Sequence, residues 1–573
     1  MFKKLSLFSL LTIGSIWGTD QDVLHHIEAD YAHGLLSRPQ AVVLQLTALE
    51  NEANLPQRYR ADTLRFTRLA TELRAEALSL MASADDAEKQ LLQQALSRPE
   101  LPLSLVSPSG RFRIHYSDTG IDAATIDFVR ETAQAFDTAY HVEVETLGFN
   151  PPPADLNVDG PEFDVYIKQY GEYGATTPEQ PVPETPQQDY TAWIIMDNDF
   201  MHTPTKGLDG MRVTAAHEFF HLVQFGYRAY HTTEHSSAFF YEATATWMED
   251  MVYPNINDYY NYLPYFFSAP NQSFTTMNGN HEYGLGIFFH MLNQKYGVPF
   301  MRTIWDEMVN QEPLEAINSA LLGYKSNLIM ELGQFAIWNC YTGSRADTVN
   351  YYREGRRYPE ITANESLNFS TQLLISGSLA SLGCRYLHIN AQTMGSNLLI
   401  TPTFSDPYHA LCAYVLTPST SPSNDLLAGQ VNKTIPVINE RCDFWIIPIS
   451  ARIAYTTSKE ITFQFTLDLG KPGQIRSQIN LAYPNPFIWN GSNEITFDFQ
   501  LSEQTTEAKA MILSEQGLPV ETRTLGPLPM GWHTCSWDGR DQQDRPVPSG
   551  VYLFLLKTEH WQELYKFVFI NAR

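Results

Sequence analysis

Apolar positions recur at roughly helical spacing from about Val23 to Leu105, most clearly over 61–81, where Leu64, Leu69, Leu73, Ala77, Leu78 and Met81 fall near one face. The pattern predicts a helical N-terminal region over residues 19–105, and the Pro- and Ser-rich stretch 99–109 reads as a linker. Such a region fits either a propeptide or a permanent lobe. Residues 106–345 mix two periodicities. Phe112–Tyr116, 163–168 and Tyr190–Met196 read as strands, 123–140 as a helix, and the chain from Arg212 to about Trp338 as helical and rich in aromatic residues. Beyond about Thr362 the pattern changes to short alternating runs such as 398–401, 413–416 and 444–449, separated by Pro, Gly, Ser and Asn. They predict a β-sandwich over 360–470 and, after a Gly-Pro turn near Gly470, a second strand-rich module over 477–573. The expected fold class is multidomain α+β: N-terminal helices, an α/β domain and two β-sandwich modules.

Length supports that modularity, since 573 residues exceed what one ordinary core organises. With 43% hydrophobic, 13% aromatic and 18% charged residues, the chain can bury a large core. Its 38 basic residues against 64 acidic ones leave a formal charge of −26, which repels phosphate backbones and argues against a nucleic-acid partner. The N-terminus places Lys3 and Lys4 before an apolar run from Leu5 to Trp17 that closes on Gly14, Ser15 and Gly18. Residues 1–18 therefore read as a signal peptide, the run being shorter than the roughly 18 apolar residues needed to span a bilayer. A secreted or cell-surface location is expected, with no transmembrane segment in the mature chain.

All five cysteines, Cys340, Cys384, Cys412, Cys442 and Cys535, lie in the C-terminal half. The odd number leaves at least one thiol, and the spacing has no close pairing of a metal knuckle. No cysteine precedes residue 340, so no N-terminal thiolate is present to cap a catalytic metal.

The chemistry concentrates at Ala215-Ala-His217-Glu218-Phe-Phe-His221, an HExxH motif in an apolar helical setting. Imidazoles at i and i+4 share one helix face, so both can reach one tetrahedral zinc while Glu218 points at the metal's water as general base. A catalytic zinc needs a third protein ligand and one open position. The pattern HExxHxxGxxH requires Gly and His where this chain has Gln224 and Tyr227, which excludes that class. Glu242 instead follows His221 after twenty intervening positions, in the aromatic and small-residue stretch Phe239-Phe-Tyr-Glu242-Ala-Thr-Ala-Thr246-Trp-Met-Glu249-Asp250.

In these residues the chain resembles the gluzincin zinc metallopeptidases, and more closely a group of exported bacterial metallopeptidases whose second helix reads approximately W/F-x-E-A/G-x-A-x-W-x-E-D. The resemblance covers about Gly110 to Trp338 and implies a zincin-like catalytic domain, with zinc on His217, His221 and Glu242. It departs at Thr246, where thermolysin-like enzymes carry an Asp that orients a zinc histidine; Glu249 and Asp250 are the replacements to consider. Gluzincins also supply a Tyr or His to the developing oxyanion. The stretch His281-Glu-Tyr283-Gly resembles the segment that carries it, with Tyr283 as first choice and His281 as second. His231 and His235 read as loop residues. The activity implied is a metalloendopeptidase acting on extracellular protein or peptide; the alternative is a surface-attached binding or adhesion protein with an inactive peptidase-like domain.

A second metal reading, for Ca2+, attaches to Asp155-Leu-Asn157-Val-Asp159-Gly160, but the twelfth position is Tyr166, and a turn explains the stretch better; Asp164 is a further oxygen ligand for an irregular site. Near the C-terminus, Tyr483-Pro-Asn-Pro486, Trp537-Asp-Gly539 and Pro548-Ser-Gly550-Val-Tyr552 resemble FlgD-like immunoglobulin-like domains and the sorting domains of type IX secretion. That resemblance implies cell-surface or secretion-machinery partners.

Overall fold

The structure, a computed structural model, describes residues 22–571 apart from 51, 61–67, 155–157, 183–188, 230–236, 393–397, 417–422, 429, 430, 436–440, 453–459, 470–476, 484–486, 490, 492 and 530. The signal-peptide stretch, His231, His235, Asp155, Asn157 and the Pro484–Pro486 turn therefore lie outside the described residues. The fold is the expected multidomain α+β arrangement. The chain divides into two compact units, one of residues 22–266 with 275–316, the other of 267–274 with 317–571.

The first unit opens with helices α1 (Val23–Ala32), α2 (Arg38–Glu50), α3 (Ala70–Leu80) and α4 (Asp86–Ala95). Asp22 and Asp85 cap α1 and α4 with their carboxylates. Of the long period predicted over 61–81, the described helix begins only at Ala70. Strands β1 (Leu103–Val106), β2 (Phe112–Tyr116), β3 (Phe163–Ile167), β4 (Gly174–Pro181) and β5 (Tyr190–Met196) form one sheet in the order β1-β2-β3-β5-β4. The inner pairs β2/β3 and β3/β5 are parallel and both edges are antiparallel. The stretch read as a linker thus contains edge strand β1. Its side chains are mostly exposed, so the backbone pairing with β2 holds it and no apolar alternation announces it.

Alternation along the strands decides what covers each face. Phe112 of β2 turns toward helix α5 (Ile126–Tyr140, capped by Thr125) and helix α6 (Gly207–Tyr227), its ring 5.2 Å from Phe136 and 5.5 Å from Phe219. Tyr166, Ala175, Trp193 and Ile195 instead share a core with Ile27, Val42, Leu46, Leu73 and Ala77 of the N-terminal helices. Residues 22–96 are therefore one wall of the sheet and not a separate core. Helices α7 (Ala238–Val252), α8 (Leu263–Ser268), α9 (His281–Gly284), α10 (Gly286–Tyr296) and α11 (Val298–Met308) continue the chain, with α7 packed on α6 and on α10.

In the second unit, strands between Glu365 and Leu469 form a five-stranded and a four-stranded sheet around a core that includes Ile389, Ile400, Tyr414, Phe444 and Phe465. Strands from Gln478 to Asn571 form a three-stranded and a five-stranded sheet around Phe497, Trp537, Phe554 and Phe569, the alternation predicted for both modules. Among the described residues, no helix is long and apolar enough to cross a membrane. Cys340, Cys384, Cys412 and Cys535 are free thiols.

Candidate metal centre

Helix α6 carries His217, Glu218 and His221 in its buried middle, and α7 brings Glu242 against them. His217 Nε2 lies 3.1 Å from Glu242 Oε2 and His221 Nε2 lies 3.5 Å from Glu242 Oε1. One ligand atom from each of the three falls within 4.8 Å of the others. The separation His221 to Glu242 spans a helix reversal, so the three donors meet only because α6 and α7 pack side by side.

The donor set suits zinc, which takes two imidazoles and a carboxylate in open catalytic sites. His221 Nε2 is buried without a hydrogen-bond partner. Buried imidazole nitrogens are normally satisfied, and this one, with only the Glu242 carboxylate at 3.5 Å before it, is a donor atom that a cation would suit. Burial alone would raise the Glu242 carboxyl, but the facing His221 and His217 outweigh it and hold it below the usual carboxylate range. Burial would likewise lower His217; hydrogen bonds to Glu242 and Glu249 reverse that and raise it to about 9.

Of the two acids considered for the place of Thr246, the structure brings one to His217 and the other to His290. Glu249 Oε1 is 2.7 Å from His217 Nδ1 and is 2% exposed, whereas Asp250 faces His290 at 3.9 Å. Glu249 stands seven residues after Glu242, two turns along the same helix face, so one stripe of α7 supplies both the ligand and the orienting carboxylate. The other imidazole has a partner that spacing did not single out. His221 Nδ1 lies 2.7 Å from Gln224 Oε1, and the Gln224 amide donates to Tyr241 O at 3.0 Å and Thr244 Oγ1 at 3.1 Å, which fixes its oxygen toward the histidine. Gln224 is three residues beyond His221 on α6, a spacing that puts it within reach.

Glu218 accepts a hydrogen bond from Thr176 Oγ1 at 2.8 Å, and Thr71 Oγ1 is 3.5 Å from the same oxygen. The start of β4 approaches closely here: a Cβ on Gly174 would sit 3.2 Å from Glu218 Cγ and 2.8 Å from Ile195 O, which leaves room for glycine alone. Tyr283, on α9, has its ring 6.2 Å from that of His217, and its hydroxyl donates to the backbone carbonyl of Arg68 at 2.5 Å. Burial, with the nearby Glu242 charge, lifts the Tyr283 phenol well above its ordinary value, so it acts as a donor. His281 packs against Phe266, ring centroids 5.0 Å apart.

Arg68 was not singled out by the sequence, because its contacts lie far along the chain. Its guanidinium donates to Glu249 at 2.9 Å, lies 3.6 Å from Asp258, and sits 4.5 Å from the ring centre of Tyr283 and 5.0 Å from that of Tyr173. Arg68 and Thr71 close over the centre, and His217, Glu218, His221 and Glu242 are all 3% exposed or less.

At the stretch read for calcium, Tyr166 donates to Asp159 at 3.4 Å, while Asp164 pairs with Arg98 and with His115 at 2.7 Å. One ligand atom each from His115, Asp159 and Asp164 falls within 4.8 Å of the others, with Arg98 paired to the same Asp164.

Residues 128–342 match a family of unknown function, DUF6055, and residues 485–560 match the FlgD Ig-like domain. The C-terminal module is thus an FlgD-like immunoglobulin-like domain. Among solved structures, the chain is similar to FlgD from P. aeruginosa at 21% identity, covering 13% of this chain and 58% of that one, with a TM-score of 0.12. It is also similar to PorZ, a surface component of the type-IX secretion system of Porphyromonas gingivalis, at 18% identity over 19% of this chain and 14% of that one, TM-score 0.13. Dimeric latent PorU of the same organism matches at 11% identity over 37% of this chain and 19% of that one, TM-score 0.17. No curated protein matches the chain.

Proposed function

We propose that the first unit is a gluzincin-like zinc metallopeptidase that hydrolyses peptide bonds of extracellular protein. The observation that carries this reading is the convergence of His217, His221 and Glu242 on two packed helices, with Glu218 one residue from the first ligand. Zinc, when bound, supplies the Lewis acidity that makes water a nucleophile at neutral pH. Glu218 would accept a proton from the attacking water at its carboxylate and pass it to the departing amine. Thr176 orients the Glu218 carboxylate, Glu249 and Gln224 hold the two imidazoles, and the Tyr283 hydroxyl is the donor for the substrate's carbonyl oxygen. The apolar leader at residues 1–18 supports export, and the FlgD-like domain supports attachment to the cell surface or to secretion machinery.

A second reading, a surface binding protein with an idle peptidase-like domain, draws support from the burial of the base and all three ligands. Zinc stoichiometry and casein hydrolysis separate the two, measured on the intact chain and after limited trypsin treatment. The peptidase reading expects one equivalent of zinc, lost in His221→Ala and Glu242→Ala, and hydrolysis that disappears in Glu218→Gln. One equivalent of zinc with wild type and Glu218→Gln equally inert in both states would assign the function to the β-rich modules.

A further inference from the structure

A peptidase centre must admit an extended peptide beside its metal, yet this one is filled by the chain itself. The residues that fill it, at the start of α3, meet the groups a substrate would meet. Arg68 presents a backbone carbonyl to the Tyr283 hydroxyl, the group placed to meet a substrate carbonyl. Three residues on, Thr71 Oγ1 accepts the Thr176 N–H at 3.0 Å. Thr176 belongs to β4, the edge of the sheet, where extended peptides add by pairing with free backbone groups. Thr71 also reaches the base Glu218. Glu172 fixes the start of α3, its two carboxylate oxygens each accepting one backbone N–H, from Leu69 and from Ala70, at 3.0 Å.

The Arg68 side chain adds a second observation. Its guanidinium is 6% exposed and enclosed by Glu249, Asp258 and the faces of Tyr173, Tyr262 and Tyr283. Two buried carboxylates and three aromatic faces make a socket for a planar cation. If Arg68 leaves, Asp258 keeps neutral donors such as the Tyr173 hydroxyl and Glu249 keeps His217, a loss of buried charge pairing that another cation entering the socket relieves.

We propose that Arg68–Thr71 is an internal pseudosubstrate: it keeps the chain latent by occupying the substrate side of the metal centre, and its socket is the subsite for an arginine side chain of the peptide that replaces it. The proposal rests on the peptidase reading and extends it to a substrate class. With no cysteine before residue 340, latency by a capping thiolate is excluded, and a polar and cationic occupant performs that task.

The test uses zinc-loaded full-length chain carrying Glu218→Gln, so that nothing is cut, with and without Arg68→Ala. Each is titrated with a fluorescein-labelled dodecapeptide containing one central arginine and with its alanine twin. The Arg68→Ala form should bind the arginine peptide about thirtyfold more tightly than the twin, while the form retaining Arg68 binds neither. Equal affinity for the two peptides, or equal binding with Arg68 in place, overturns the proposal. Should Arg68→Ala not fold, Arg68→Lys keeps a cation without the planar fork. It must then bind the arginine peptide more tightly than wild type does, and no gain is likewise fatal. Casein hydrolysis with Glu218 restored distinguishes the two levels. Selective binding without hydrolysis keeps the socket and removes the peptidase reading. Hydrolysis at the same rate with and without Arg68 keeps the peptidase and removes the latency.

Discussion

Glu249→Gln probes the centre through a carboxylate outside the His217, His221 and Glu242 trio. Its carboxylate takes His217 Nδ1 at 2.7 Å and Arg68 at 2.9 Å, so the substitution removes one charge from two contacts while keeping the side chain's shape. Losing the partner that orients a ligand histidine lowers metal affinity by about ten- to a hundredfold, or about 1.4 to 2.7 kcal/mol. For Arg68, breaking a buried ion pair costs about 3 to 5 kcal/mol when nothing replaces the partner. Asp258 remains 3.6 Å away and the new amide oxygen still accepts, so a stability loss of about 2 kcal/mol is expected, below the full penalty. Competition against a chromophoric chelator reads the affinity, and urea unfolding of the metal-free chain reads the stability. Asp250→Asn is the control, since Asp250 faces His290 and should leave zinc affinity unchanged. The assignment of Glu249 as the orienting acid is wrong if its variant binds zinc within about twofold of wild type, or if Asp250→Asn weakens binding equally.

Gln224→Leu should lower zinc affinity by about tenfold, because it deprives His221 Nδ1 of its acceptor; an unchanged chelator titration would refute that. Burial holds the His290 imidazole down at about 4, so the folded state keeps it neutral while the unfolded chain takes up a proton below its ordinary value near 6.5. Its contribution is therefore intact above pH 6.5 and drains by up to about 3 kcal/mol as pH falls toward 4, and His290→Gln should flatten that stretch of a stability profile measured by urea midpoints. A slope as steep as wild type's between pH 6.5 and 4 would count against this. In the C-terminal module Phe554 stacks on Phe497 at 4.0 Å, so Phe554→Ala should cost about 3 to 5 kcal/mol in that module's melting while zinc binding stays as it was.

The convergence of His217, His221 and Glu242 was readable in the chain, from the i and i+4 spacing on α6 and a carboxylate on the next buried helix. Which of Glu249 and Asp250 orients His217 was not, since neighbouring acids near a helix end differ only in the face they take. The seven-residue step from Glu242 contains that answer once the helix is known to be regular. Thr246 turns instead to Gly286, where a Cβ would lie 3.3 Å from its methyl. Arg68 left no local trace, its ion pair with Glu249 joining residues 181 positions apart. The exposed edge strand β1 escaped notice for a different reason, being held by backbone pairing while its side chains resemble those of a loop.

The apolar partnership between the first four helices and the sheet constrains how such a chain could be switched on. Excising residues 22–96 would lay bare Tyr166, Tyr170, Ala175, Trp193 and Ile195, which now lie dry against Val42, Leu46 and Leu73. Any opening of the centre would accordingly displace the chain at Arg68 and Leu69, ahead of α3, while the four helices stay on the sheet as a permanent flank.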